Sequence, residues 1–478
     1  MGAPSPRRTS LKALAPRERI AALADAGSVQ TIDASFDAPR PSPHLHRFGI
    51  EAQDDDGVVV ARARIHDAPV WIAVQDERFV GGSVGARHGE TLHRMFRQAG
   101  AERPSGIVVL AASAGVRLHE ANPAELALAQ ALAALLDLRA AAIPVIAIGV
   151  GDTFGGASVL ACSAEHTALL PGVRLGLSGP AVIETTRGRG ELDASDADAV
   201  SALFGAAARA DAAQVELLAD DAAAMRGWIA RCLRESQPFA ASVNAMQMRL
   251  AQRLGSIDPA DSSTTEAPGS LRTRTAELRP AGPDNPCPDA EPVDDAGWLL
   301  RVRERPLWLT RSCGRGTFGP REAHALDAAL LTHLAKAPRF ESPTLFLVEN
   351  SSGHEASQSA ESLCVSQYIA QHAAVIALLR SQGVRVRGLI SGVGHSAALF
   401  GNALQASKVY ALAEARVVAM APEAIARVTR VPKAEIAALI EDDPLLGHPI
   451  RQFARWGGIA EIFSAVDCAK LRELAARD

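Results

Sequence analysis

Gly155-Gly156 stands between an apolar run, Ile143–Val150, that reads as a buried parallel strand, and a stretch of small and apolar residues, Ala157–Ser163, that reads as a short buried helix. At such a junction the first backbone N–H groups lack a partner within the helix and the dipole end is positive, so the turn can hold an oxyanion. Glycine lets a ligand carbonyl come close to the backbone. A second turn of the same kind, Ser113-Ala114-Gly115-Val116-Arg117, closes another buried strand, Gly106–Ala112. Two N–H donors brought to one place can grip one oxygen, and the chemistry open to them is stabilisation of negative charge on a carbonyl.

The elements between these turns place them together. A helix over Pro123–Arg139 returns the chain from the first turn to the strand before Gly155-Gly156, and the order strand, turn, helix, strand, turn, helix puts both turns at one end of a parallel sheet. Upstream, Pro16–Ala26 reads as a short helix, Gly57–Gln75 as two strands joined at Asp67–Pro69, and Gly81–Gly85 as a glycine-rich turn feeding a helix over Glu90–Gln98. Downstream come two short apolar runs, Thr167–Leu170 and Val173–Leu177, then Ser178-Gly179-Pro180 and an alanine-rich helical stretch, Ala197–Arg234.

The 478 residues suffice for two large domains. Hydrophobic residues make up 48% and charged residues 22%, a soluble globular balance, and a net charge of −5 gives no general reason to bind nucleic acid or an anionic membrane. No run reaches membrane-spanning length, and the basic N-terminal stretch has no apolar signal core, so a cytoplasmic protein is expected. Six scattered cysteines without a C-x-x-C pair point to reduced thiols and away from a cysteine zinc ribbon. His44 and His46 face one way in an extended segment but have no third ligand nearby, so surface positions are expected for both.

Residues 255–297 change abruptly to Pro, Ser, Thr, Asp and Glu and read as a linker. They divide the chain into 1–254 and 298–478, and the second part repeats the first. Thr344–Val348 is a strand ending at a turn containing Gly353 and His354. A helix over Ala360–Ser381 leads to the strand Val386–Ile390, and Ser396-Ala397-Ala398 precedes the next helix. Pro422 follows Pro180 by 242 residues, Ala397 follows Gly155 by 242, and Gly353 follows Gly115 by 238, so the pattern is an internal duplication of one α/β domain.

The residues that carry a family likeness include Ala24-Asp25-Ala26-Gly27, Ser42-Pro43-His44-Leu45, Gly115-Val116-Arg117-Leu118-His119-Glu120-Ala121-Asn122, Phe154-Gly155-Gly156 and Leu175-Gly176-Leu177-Ser178-Gly179-Pro180. In the second half they are Leu404-Gln405-Ala406, Tyr410-Ala411-Leu412 and Ala424-Ile425-Ala426-Arg427-Val428-Thr429. With these the chain resembles the carboxyltransferase branch of the crotonase-like superfamily, and within it the beta and gamma subunits of biotin-independent malonate decarboxylase fused into one chain. The resemblance implies two crotonase-like α/β domains, each a spiral of ββα units, facing each other across the active site.

It also implies a reaction: a malonyl group, carried as a thioester on the phosphopantetheine arm of an acyl carrier protein, loses CO₂ to give the acetyl thioester. Separate proteins would supply the carrier and the malonate/carrier transferase, and the chain could form homo-oligomers. The enolate charge would rest on the thioester oxygen, where loss of one fixed N–H donor costs about 3 kcal/mol. The donors are expected around Gly115/Val116 and Gly155/Gly156, with Ala397/Ala398 as the second-half counterpart. Ser178, Gly179, Gly353, Ser396 and His119 are the expected substrate-binding residues. No metal, directly bound cofactor or side-chain nucleophile is called for.

The chain departs from the family pattern at Ala114, which replaces a glycine, at Ala397-Ala398, which replace a glycine pair, and at His119, which replaces a glutamine and is a candidate proton donor. Three other readings stay open. Gly394-His395-Ser396 resembles part of a nucleophile elbow, with Asp442 or Asp443 and His448 in hydrolase order, although Ala398 replaces its last glycine. A biotin-dependent acyl-CoA carboxyltransferase would share the fold. A scaffold that binds acyl carrier protein without turnover would retain the surface but release no CO₂.

Overall fold

The computed structural model describes residues 9–31, 41–213, 215–256, 286–302, 307–314, 316–335 and 343–477. Most of the Pro-rich stretch expected as a linker therefore lies outside the described residues. Its C-terminal end, however, is built into the fold, with Cys287 fully buried and Ala290–Pro292 forming a strand.

In the first half the strands are β1 (Gln30–Thr31), β2 (Val58–Ile65), β3 (Ala68–Gln75), β4 (Gly106–Ser113), β5 (Val145–Phe154), β6 (His166–Leu169), β7 (Leu175–Gly176) and β8 (Glu216–Leu217). They form one sheet in the order β1-β2-β3-β4-β5-β6-β8, with β7 paired to the far end of β5. The second half has β9 (Ala290–Pro292), β10 (Leu299–Val302), β11 (Leu307–Thr310), β12 (Thr344–Glu349), β13 (Arg385–Ile390), β14 (Val393–His395), β15 (Lys408–Leu412), β16 (Arg416–Val418) and β17 (Glu461–Phe463). Their order is β9-β10-β11-β12-β13-β15-β17, with β14 and β16 paired apart.

The two sheets match strand for strand. Each opens with two antiparallel pairings, β1–β2–β3 and β9–β10–β11, and continues in parallel through β4-β5-β6-β8 and β12-β13-β15-β17. Every residue of β4 is buried, as expected of a parallel strand covered on both faces by helices. The expected duplication of one α/β unit is thus present as two sheets of matching strand order.

The halves dock through equivalent elements. Helix Ala121–Ala140 follows the first turn, helix Val365–Ser381 follows the second, and the two pack on each other at the seam. Both are apolar nearly all round, which suits helices with protein on every side. Pro180 and Pro422 each start a helix, and Arg427 on the second donates from Nη1 to Thr185 Oγ1 on the first at 3.2 Å. These two residues are themselves 242 apart, the spacing of the two prolines, so equivalent positions of the two halves meet here.

Several expectations change. Ala197–Arg234 is not one helix: extended Gly205 ends Ala197–Phe204, Ala206–Ala213 follows, and Asp221 caps a third helix, Ala222–Cys232. The helix expected over Ala360–Ser381 breaks at Cys364, whose φ of 57° starts a new one at Val365. The thiols are not all free, because Cys287 and Cys468 form a disulfide 181 residues apart, while Cys162, Cys232, Cys313 and Cys364 are unbridged. Their separation in sequence hid the pairing. No described helix is long and apolar enough to cross a membrane.

Candidate active site

The first-half turns meet through bare backbone. Gly115 has φ +92° and Gly155 has φ +61°, conformations that favour glycine, and a methyl on Gly115 would lie 3.1 Å from Gly155 Cα. Val84 N–H donates to Gly115 O at 2.7 Å and Arg117 N–H to Val84 O at 2.9 Å, which clamps the turn from behind. Gly115 N–H is spent on Ser113 Oγ at 3.2 Å, and Gly155 N–H on Leu177 O at 3.0 Å. The N–H groups of Val116 and Gly156 have no partner among the described residues. Of the four expected donors, those two remain open to a ligand.

Buried charge holds this turn. The fully buried Arg117 guanidinium donates to Asp56 Oδ1 at 2.5 Å, to Glu120 Oε2 at 3.1 Å and to Ser83 O at 3.0 Å, and Ser42 Oγ donates to Glu120 Oε1 at 2.6 Å. Burial pushes the Asp56 carboxyl up to about 6 despite the neighbouring Arg117. Gly85 is obligatory here because a methyl on it would lie 2.3 Å from Arg117 Nη1. His119 is buried beside this cluster, edge-on to Phe48 at 5.0 Å, and burial together with Arg117 lowers its pKa.

The second half repeats the design in another register. Gly353, at φ +99°, occupies the place of Gly115, and its N–H reaches Ser351 Oγ at 3.3 Å just as Gly115 reaches Ser113. Phe318 N–H donates to Gly353 O at 2.8 Å, matching Val84 to Gly115. The left-handed residue at the start of the following helix is Ser396, at φ 51°, so the Gly155 position is filled by Ser396 and the Gly156 position by Ala397, one residue earlier than the proline spacing suggests. A serine in that conformation costs about 1 kcal/mol. His354 and Ala397 N–H groups have no partner among the described residues, and Ala398 lies one position deeper in the helix.

Where the first half uses Arg117, the second uses a buried polar chain. Ser351 Oγ donates to Glu349 Oε1 at 2.8 Å, and Asn402 Nδ2 to Glu349 Oε2 at 2.7 Å. Since the Asn402 amide faces Glu349 with its nitrogen, its Oδ1 must accept from His372 Nε2, 3.3 Å away, and His372 Nδ1 donates to Asp327 Oδ1 at 2.6 Å. Asp327 leads the interactions that raise the His372 pKa against the effect of burial, and burial pushes Glu349 up to about 7.

The two halves exchange contacts at the turns. Ser178, of the first half, reaches across the seam to the second-half turn, with its Oγ 2.8 Å from His354 Nε2. Leu177 and Ser178 N–H groups donate to Glu361 Oε1 at 2.9 and 2.7 Å, and Arg209 Nη2 donates to Glu361 Oε2 at 2.9 Å. Burial pushes Glu361 up to about 7 and, with His395, pulls His354 down to about 4. His395 Nδ1 donates to Ser352 O at 2.9 Å, and its ring packs on Gly353. Gly179 caps the helix that Pro180 starts, with an ordinary φ of −64°. Gly115, Val116, Gly155 and Gly156 therefore form one group, and Gly353, Ser396, Ala397 and Ala398 another, joined by Ser178. Sequence reasoning gave no role to His354, Glu361 or Arg209. Their importance arises from contacts between halves, for which no local pattern exists.

Two protein families match separate stretches of the chain. A carboxyl transferase domain family matches residues 12–265, and the malonate decarboxylase gamma subunit family matches residues 313–477. The chain is 32% identical over 197 residues, 38% of its length and 61% of the relative's, to a malonyl-S-ACP:biotin-protein carboxyltransferase of Malonomonas rubra. It is 36% identical over 184 residues, 36% of its length and 30% of the relative's, to the acetyl-coenzyme A carboxylase carboxyl transferase subunits beta/alpha of a Parafrankia species. The chain thus spans about three-fifths of the first relative and under a third of the second. Among solved structures, a Pseudomonas malonate decarboxylase hetero-tetramer in complex with malonate is 33% identical with a TM-score of 0.48, covering 55% of this chain and 94% of that one.

Proposed function

Because the chain belongs to the carboxyl transferase domain family and joins that domain to a malonate decarboxylase gamma-subunit domain, we propose that it decarboxylates a malonyl thioester carried on an acyl carrier protein. The observation that carries this reading is the meeting of Gly115 and Gly155, next to which the Val116 and Gly156 N–H groups have no partner among the described residues. The beta-like half is 1–254 and the gamma-like half 298–478. The C–C bond to the carboxylate breaks, CO₂ leaves, and the bonding pair passes into an enolate whose oxygen takes hydrogen bonds from these two donors. Protonation at carbon then gives the acetyl thioester. Gly353, Ser396, Ala397, Ala398, Ser178, Gly179 and His119 line or support the pocket for the rest of the substrate.

The carrier brings its phosphopantetheine arm, a transferase loads it, and the cytoplasm supplies both. The likeness to the Malonomonas protein favours one second reading, in which the carboxyl group passes to a biotin protein instead of leaving as CO₂.

The test is CO₂ release from malonyl-carrier protein by the purified chain, beside malonyl-CoA and a Gly156→Val variant. A methyl on Gly156 would lie 2.8 Å from Leu128 Cδ2 and 3.7 Å from Phe400, so valine closes the site. Fast release with the carrier, lost in the variant, supports the decarboxylase. Release only when a biotin acceptor is added identifies the carboxyltransferase.

A further inference from the structure

Loss of CO₂ leaves a carbon that must take up a proton, and an acid kept out of water is suited to supply it. Glu125 lies on helix Ala121–Ala140 behind the first turn, only 3% exposed, and its carboxyl has no hydrogen-bond or ion-pair partner among the described residues. An orphaned carboxylate in such a place would cost several kcal/mol, so the group stays protonated. Burial alone holds its pKa up at about 8.

The helix aims Glu125 at the seam. Residues three and four apart share a face, which sets Glu125 between Ala121 and Leu128. Leu128 lies against Gly156, whose N–H is one of the two open donors, and Ala121 packs with Ile425 of the second half. Ala129, beside Glu125, accepts at its carbonyl from Gln405 Nε2 of the second half at 3.3 Å. The same face therefore spans from the first turn to the facing half.

We propose that Glu125 is the general acid that protonates the enolate carbon, an inference that rests on the decarboxylase reading. As the enolate collapses, its electron pair forms the new C–H bond with the carboxyl proton. The O–H bond breaks to leave Glu125 as carboxylate, and solvent returns the proton after the acetyl thioester departs. His119 is less suited, because burial and Arg117 keep it neutral and so without the acidic proton that the step requires. A protonated carboxyl is also uncharged, so it does not repel the incoming malonyl carboxylate.

The test compares the whole chain with Glu125→Gln, which keeps the shape and neutrality of the acid but has no transferable proton. Two reactions are read: CO₂ release from malonyl-carrier protein, and exchange of the acetyl-carrier methyl hydrogens with D₂O, which needs the acid and base steps but no CO₂. The expected result is a fall of about 100-fold or more in both, with KM for the malonyl thioester within about threefold. Wild-type rates in a folded Glu125→Gln chain would overturn the role of Glu125 and leave the decarboxylase reading standing. Neither reaction with the wild-type chain would overturn the decarboxylase reading and this role with it. Should Glu125→Gln not fold, Glu125→Asp takes its place: the acid is kept but set back by one methylene, so exchange falls about tenfold if the role holds and is unchanged if it does not.

Discussion

The Ser178 hydroxyl and His354 Nε2 lie 2.8 Å apart across 176 residues of chain, one supplied by each half. This contact ties the exit of β7 to the second-half turn, beside the Glu361 carboxylate that accepts from Leu177 and Ser178 N–H. It makes the docking of the halves sensitive to protons. A histidine held at about 4 instead of 6.5 takes up a proton more readily when unfolded, so its contribution is complete above about pH 6.5 and is lost as pH falls towards 4. His448, also at about 4, acts in the same window. Stability of the wild type should fall through this range, and His354→Gln should flatten the fall by roughly 3 kcal/mol. An unchanged pH dependence in His354→Gln would refute the assignment.

Gly115→Ala tests the first turn without touching an open donor. Its φ of +92° and the 3.1 Å approach to Gly155 Cα both oppose a methyl group. Stability should fall by about 1–3 kcal/mol, and CO₂ release by about 100-fold as the Val116 N–H shifts. Chemical denaturation and single-turnover kinetics separate the two effects.

Arg117→Met should be among the most damaging single changes. It leaves Asp56 and Glu120 buried without their cation, a loss of about 3–5 kcal/mol. Part of that loss should be recovered in Arg117→Met combined with Asp56→Asn, since the second change removes one orphaned charge. A double variant no more stable than the single one would show that Arg117 acts chiefly through its contacts with Ser83.

Reduction of Cys287–Cys468 should lower the stability of the second half by about 2–4 kcal/mol, because the bridge closes a long loop. Calorimetry with and without reductant, beside Cys287→Ala, measures it. A transition unmoved by reductant would mean that the two thiols merely touch.

The two glycine turns and their repetition were legible in the sequence because strand, turn and helix are local patterns and glycine marks the strained positions. The repeat distance between Pro180 and Pro422 was equally plain. The second-turn register was not, since Ser396 adopts φ 51° without being glycine, and spacing alone pointed one residue further on. Glu361, Arg209 and His354 were opaque for another reason. Each acquires its meaning from a partner more than 100 residues away, placed only when the halves dock. Cys287 and Cys468 show the same blindness, as does Glu125, whose surroundings turn an ordinary helix-forming residue into a neutral acid.

The seam is formed within one chain, so dilution cannot separate the halves as it would two free subunits. A tether of this kind keeps tethered partners at roughly millimolar effective concentration. The hydroxyl and imidazole pairs Ser158–Ser366 and Ser178–His354 then add to the apolar helix packing of the seam without having to hold it alone. In a chain with only 4% aromatic residues, covalent continuity supplies the persistence that obligate partners obtain from large buried rings.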